Sequence, residues 1–167
     1  RCLEKQELTK KVGELGKIIS IYESSKALNS TLKLDEVLHL IINLAVRNAK
    51  AIGGMLSLVN ENTKNLQIES LASIDIEIAY KIQEQYQQIV QKCLYKDELM
   101  NIEIKSIKGI KHMVCVPLKI KGRVLGCLTF FYHHWEGSFA LLEYQLFSIF
   151  ASQAAVAIEN AKIYENL

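Results

Sequence analysis

Polar and apolar positions alternate most regularly in the last part of the chain. Leu142, Leu146, Ile149, Gln153, Val156, Asn160, Ile163 and Leu167 recur in steps of four and three, which is a heptad seam with two polar members. A second apolar row (Phe147, Phe150, Ala154, Ile158 and Ala161) runs beside it. The spacing predicts one helix over Phe139–Leu167 with two faces to bury, one against its own domain and one against a second copy of the chain. Ser138 is placed to cap it. Leu8, Val12, Leu15, Ile19 and Tyr22 repeat the four-three spacing near the start, with Lys and Glu between them. Gly13 and Gly16 weaken that helix, so it needs a partner helix. Either it joins a dimer or it is a surface helix packed on its own domain.

Between these helices the period changes. Asn29-Ser30-Thr31 breaks the first pattern. Leu34, Val37, Leu38, Ile41, Ile42, Ala45 and Val46 form the stripe of a helix that Asp35 caps or flanks and that runs to about Ile52, where Gly53-Gly54 stops it. Met55–Asn60 and Asn65–Ser73 read as a hairpin about the turn at Glu61–Lys64. Asp75–Leu94 is polar on one side, with Ile78, Ile82, Ile89 and Val90 on the other, and reads as a helix. Ile102, Ile104 and Ile107 alternate within Leu99–Lys108, a short edge strand blunted by lysines. His112–Lys119 and Arg123–His133 read as strands joined through Lys121-Gly122. The order predicts an α+β domain: an antiparallel sheet with the terminal helices on one face and Asp75–Leu94 on the other. Residues 1–28 are then a linker or coiled-coil helix, and 29–167 the domain with its long final helix.

Composition changes this picture little. Half the residues are hydrophobic and 23% charged, so a core is affordable, and a net charge of +2 gives no argument for nucleic acid or membrane as a partner. Pro117 is the single proline, which fits long regular elements. No apolar run approaches the ~20 residues of a bilayer span. Cys2, Cys93, Cys115 and Cys127 lie in apolar segments without a C-x-x-C pair, as expected of reduced, buried thiols in a cytoplasmic protein. The chain opens at Arg1, not Met, and is expected to be a piece of a longer protein whose output domain lies outside it.

The segments Val116-Pro117-Leu118, Lys121-Gly122-Arg123-Val124-Leu125-Gly126-Cys127-Leu128 and Phe150–Glu165, with its run of small residues ending in Ile158-Glu159-Asn160-Ala161, resemble a GAF domain. The resemblance covers about 28–165. It implies a six-stranded antiparallel sheet with a small-molecule pocket on one face. It further implies terminal helices that pair across a homodimer and signal to a kinase, cyclase, phosphodiesterase or transcription domain. The N-K-x-F-D-E motif of cyclic-nucleotide-binding members is absent, which argues against cGMP or cAMP. No bilin-attachment pattern surrounds any cysteine. Cys93–Gly109 is short for the family, so a domain that has lost its ligand and kept only dimerisation is the alternative.

Candidate chemistry follows from these placements. The family places its pocket between the sheet and the covering helix, where Ser57, Tyr80, Met113, Cys115, Thr129 and Phe131 are the expected lining. Side chains packed solid, with no cavity above water size, would remove that expectation. Whether Cys115 faces Cys127 depends on the hairpin. A two-residue loop sets Cys115 opposite Leu128, and a three-residue loop sets it opposite Cys127. Some GAF domains reduce free methionine sulfoxide through cysteines, but both thiols here sit among aliphatic residues with no adjacent base. Haem through His112, His133 or His134 is a further alternative, as in some family members. The cofactor is not determined by the sequence. Lys105, Lys108, Lys111, Lys119, Lys121 and Arg123 are either an anion-attracting patch or a solvated edge. Tyr86 and Tyr95, like Tyr80, either offer hydroxyls to a ligand or anchor the covering helix. Gln153 and Asn160 on the seam are expected to fix a parallel register, with the dimer formed through Leu8, Val12, Leu15, Ile19, Leu146, Ile149, Gln153, Val156, Asn160 and Ile163.

Overall fold

A computed structural model of the chain describes residues 33–134 and 141–165, with five helical positions before them (Gln6, Thr9, Lys10, Gly13 and Gly16). Leu8, Val12, Leu15, Ile19 and Ser138 lie outside the described residues. Helix α1 (Leu34–Ala49) leads into strands β1 (Gly53–Val59) and β2 (Leu66–Ala72), then helix α2 (Ile76–Lys96). Strands β3 (Met100–Ile107), β4 (Ile110–Ile120) and β5 (Arg123–Tyr132) follow, and helix α3 (Leu141–Glu165) closes the described chain.

The strands form one antiparallel sheet in the order β2-β1-β5-β4-β3. Among the described residues it has five strands, not the six that the family resemblance implies. Strand β3, with its exposed Lys105, is one edge. Alternation along each strand sends one set of side chains to each face. Leu56, Leu58, Val114, Val116, Leu118, Leu128 and Phe130 meet α1 and α3 in the larger core. Met55, Met113, Cys115, Cys127 and Phe131 meet Ala79, Ile82, Val90 and Cys93 of α2 in the smaller one.

Two local expectations are corrected. Helix α1 has Lys33 as its N-cap, with no side-chain cap, and Asp35 lies in the first turn, where its charge complements the helix dipole. The helix ends on Lys50 in the left-handed conformation (φ 54°), before Gly53-Gly54. Those glycines instead begin β1. A Cβ on Gly54 would lie 2.6 Å from Val46 Cγ2 and 2.9 Å from the Thr129 carbonyl, so the missing side chain lets α1 sit close on the sheet.

Helix α3 buries one of its two expected faces within the chain. Phe147, Phe150, Ala154, Ile158 and Ala161 are buried, whereas Val156 and Ile163 are 44% and 53% exposed. Ile149, Gln153 and Asn160 are half-buried. Leu146, expected at a dimer contact, is buried within the chain with Phe150 and Leu44. Gln153 likewise turns its amide oxygen into the chain, where a Cβ on Gly16 would lie 3.9 Å away.

Candidate functional site

The α2 side of the sheet collects the chain's sulfur. All three methionines border it, Met100 in part, and so do three of the four cysteines. Its centre is set by the β4–β5 register. Lys121 and Gly122 both take positive φ (51° and 76°), giving the tight two-residue turn that matches strand twist. Ile120 pairs with Arg123 and Lys119 with Val124, but Leu118 pairs with Gly126. Leu125 is therefore an extra residue, a bulge. The bulge moves Cys115 opposite Thr129 and Cys127 opposite Pro117, a register that neither loop length alone predicts. Cys115 and Cys127 end on the same face, two positions apart.

The Thr129 hydroxyl lies between them, 3.8 Å from Cys115 Sγ and 3.7 Å from Cys127 Sγ. Cys93 of α2 donates its thiol to the Glu98 carbonyl at 3.0 Å and approaches the Cys115 carbonyl at 3.5 Å. Burial pushes the Cys93 thiol up to about 12 and the Cys127 thiol up to about 11, and raises Cys115 well above the ordinary range. Neighbouring Cys127 adds to the rise at Cys93 and Cys115. Thiols held protonated are poor nucleophiles, so the geometry favours packing over redox chemistry.

Of the expected lining, Met113, Cys115, Thr129 and Phe131 are fully buried and packed together. Ser57 is 1% exposed on the same face. Tyr80 does not line the site. It is 53% exposed, because the buried face of α2 runs through Ala79, Ile82, Val90 and Cys93 and Tyr80 stands about a quarter-turn off it. The opening left between α2 and the sheet is no larger than a water, with space for the centre of about one (≈ 10 Å³), and Cys115, Thr129 and Phe131, packed solid beside it, do not line it, so the larger pocket expected there is not formed in this structure. It lies between Met55, Ser57, Met113 and Cys127 on the sheet and Ile82, Gln83, Gln87 and Val90 on α2.

Two buried polar atoms have no hydrogen-bond partner among the described residues and belong to this cavity's walls: Ser57 Oγ and Gln83 Oε1. The Gln83 amide NH₂ is already committed to the Leu66 carbonyl at 2.8 Å. Neither glutamine was legible as a site residue. Their i, i+4 spacing beside the Ile82–Val90 stripe is the sequence signal that could have found them.

The other expected groups lie elsewhere. His112 is hydrogen-bonded to Asn101 on the sheet, and burial lowers its basicity. His133 donates from Nδ1 to the Gly109 carbonyl at 3.0 Å, and His134 is exposed. None of the three reaches the cavity, and among the described residues no three His, Cys, Asp or Glu side chains group to hold a metal. Lys105, Lys108, Lys111, Lys119, Lys121 and Arg123 are exposed. Lys119 pairs with Asp97, and Arg123 donates to Glu159 of α3 at 2.7 Å. Lys119 and Lys121 border an open groove of ≈ 370 Å³ between the hairpin and Ser148 and Ser152 of α3. Tyr95 is exposed, whereas Tyr86 accepts the Lys105 backbone N–H at 2.8 Å.

Among the described residues, a five-stranded antiparallel sheet, backed by two helices and covered on its other face by one, defines a class of small α+β domains. The chain belongs to the GAF family, whose profile ("GAF domain") matches residues 31–159. Over 75 residues it is 32% identical to the probable 3′,5′-cyclic phosphodiesterase pde-5 of Caenorhabditis elegans, an alignment covering 44% of this chain and 10% of that protein. The chain thus spans about a tenth of that relative's length. The fold is similar to the GAF domain of a phosphoenolpyruvate-protein phosphotransferase from Coxiella burnetii (TM-score 0.70, 14% identity, 97% of this chain and 98% of that one). It is also similar to the second GAF domain of DevS from Mycobacterium smegmatis (TM-score 0.64, 17% identity, 80% and 99%). No helix among the described residues is long and apolar enough to cross a membrane.

Proposed function

We propose that this GAF domain is the sensory module of a larger cytoplasmic signalling protein and works as a homodimer through its terminal helices. The state of the α2 face would pass through the sheet to α3 and on to an output domain of kinase, cyclase or transcription type. One observation carries this reading. Alternate residues of β5 serve the two cores: Cys127 and Phe131 pack under α2, while Leu128 and Phe130 pack under α1 and α3. A strand shared in this way cannot shift for one core without being felt in the other. The exposed Val156 and Ile163, one heptad apart, support a partner helix on α3. We read the domain as a binding and transmission module and not as a catalyst, because burial disfavours the thiolate at each of its described cysteines.

A second reading, a ligand-free dimerisation spacer, is favoured by the cavity's size, which is no more than one water. Native mass spectrometry of the chain against its denatured mass separates the two. The sensor reading expects a dimer carrying a small-molecule adduct lost on denaturation. A dimer without adduct supports the spacer, and a monomer removes the account of the terminal helices.

A further inference from the structure

The walls of the α2 cavity restrict what can enter it. Among the described residues, no lysine, arginine, histidine, aspartate or glutamate lines it, and the one titratable wall group is Cys127, a thiol that burial keeps neutral. A charged molecule would lose its hydration there and gain no counter-charge. The polar atoms that lack partners are a hydroxyl, which can give or take a hydrogen bond, and an amide oxygen, which can only take one. A guest must therefore donate a hydrogen to Gln83 Oε1 and meet the Ser57 hydroxyl, with an apolar body against Met55, Ile82 and Met113. A hydroxyl or primary amide on a short hydrocarbon meets both demands.

Space for such a body has to come from α2. Tyr86 has a non-helical conformation (φ −112°, ψ 17°), and it lies between Gln83 and Gln87. Beyond this kink the helix is tied to the sheet side by Tyr86 on the Lys105 N–H and by Cys93. The β3–β4 register slips between Glu103 and Ile107, so Tyr86 meets a backbone N–H at an irregular stretch of the edge strand. Before the kink, the Gln83–Leu66 bond tethers the helix to β2.

We propose that Ser57 and Gln83 form the polar end of a closed site for a small uncharged molecule with one hydroxyl or amide group, entered by lifting the Ile76–Gln85 half of α2 about Tyr86. The proposal rests on the reading of the α2 face as the sensing face.

The test is a titration of the 167-residue chain, followed by two-dimensional amide NMR, with 1-butanol, butyrate and butylammonium as four-carbon neutral, anionic and cationic probes. Saturable shifts at Ser57, Gln83, Gln87 and Cys127 with 1-butanol alone are expected. Ser57→Ala and Gln83→Met, each checked for native peak dispersion, should weaken the alcohol roughly fivefold. Hydrogen exchange should slow over 76–85 on adding the alcohol and stay unchanged over 87–96. Equal response to butyrate, or variants that bind the alcohol as the parent does, overturns the proposal and leaves the sensing reading standing. A charged adduct in the native mass spectrum has the same effect. No saturable shift from any probe overturns it too, and with an adduct-free dimer it removes the sensing reading as well.

Discussion

Phe130 of β5 and Phe147 of α3 stack tilted, with ring centroids 5.2 Å apart and planes at 43°. Phe130 lies between Thr129 and Phe131, whose side chains belong to the opposite face of the sheet. The pair is thus where the final helix meets the strand common to both cores. Tyr132, two residues on, ties the end of β5 to the end of α1 by donating to the Ala49 carbonyl at 2.9 Å.

Removing either ring leaves a cavity in the larger core. Phe147→Ala and Phe130→Ala should each cost about 3–5 kcal/mol in urea unfolding. The double mutant should show a coupling of about 0.5–1.5 kcal/mol beyond additivity. A coupling near zero would mean that the rings only fill space.

Gly126 marks the bulge that sets the cysteine register. A Cβ there would lie 1.9 Å from the Ser57 carbonyl oxygen and 2.8 Å from Leu58 Cα, both backbone atoms that cannot step aside. Gly126→Ala should destabilise by about 3 kcal/mol or more, with lost protection of the β1–β5 amides in hydrogen exchange. An alanine variant with parental stability would show that β1 can move away from β5.

The buried thiols make stability depend on alkaline pH. Their folded values are raised, to about 11 for Cys127 and about 12 for Cys93, from an ordinary 9.0. Between these values the unfolded chain has lost thiol protons that the folded chain keeps. Their contribution is therefore complete below pH 9 and is lost as pH rises toward 11–12. Urea midpoints measured from pH 8 to 11 should fall, and Cys127→Ala should flatten the slope. Native thiols should also resist alkylation at pH 8 and react on unfolding.

On α3, Val156→Asp and Ile163→Asp place charges at exposed positions, so monomer stability should change by only about 0.5 kcal/mol. Association, followed by sedimentation, should be lost if these residues meet a partner helix. Asn160→Leu should tighten association while loosening its register. If the parent and Asn160→Leu are both monomers at high concentration, the seam has no partner.

Much of the fold could be read in the order of residues, because it rests on local periodicity. The 3.6-residue stripe of Val37, Leu38, Ile41, Ile42 and Ala45 and the two-residue alternation of β4 and β5 each require one buried face, whatever lies opposite. The small residues of α3 in the same way set which side of the helix goes inward. The dimer positions in the first helix rest on spacing alone.

Contacts between distant segments decided the rest. The Leu125 bulge sits beside Gly126, which lies against the Ser57 backbone, and no count of loop residues contains that approach. Tyr80 faces out because α2 docks through Ala79 and Ile82, a choice of rotation that only the sheet beneath it can make. Gln83 and Ser57, 26 residues apart in sequence, share a cavity because two surfaces fail to meet by the width of one water. Pattern specifies which faces are apolar. The gap between them is fixed by side-chain shape in three dimensions.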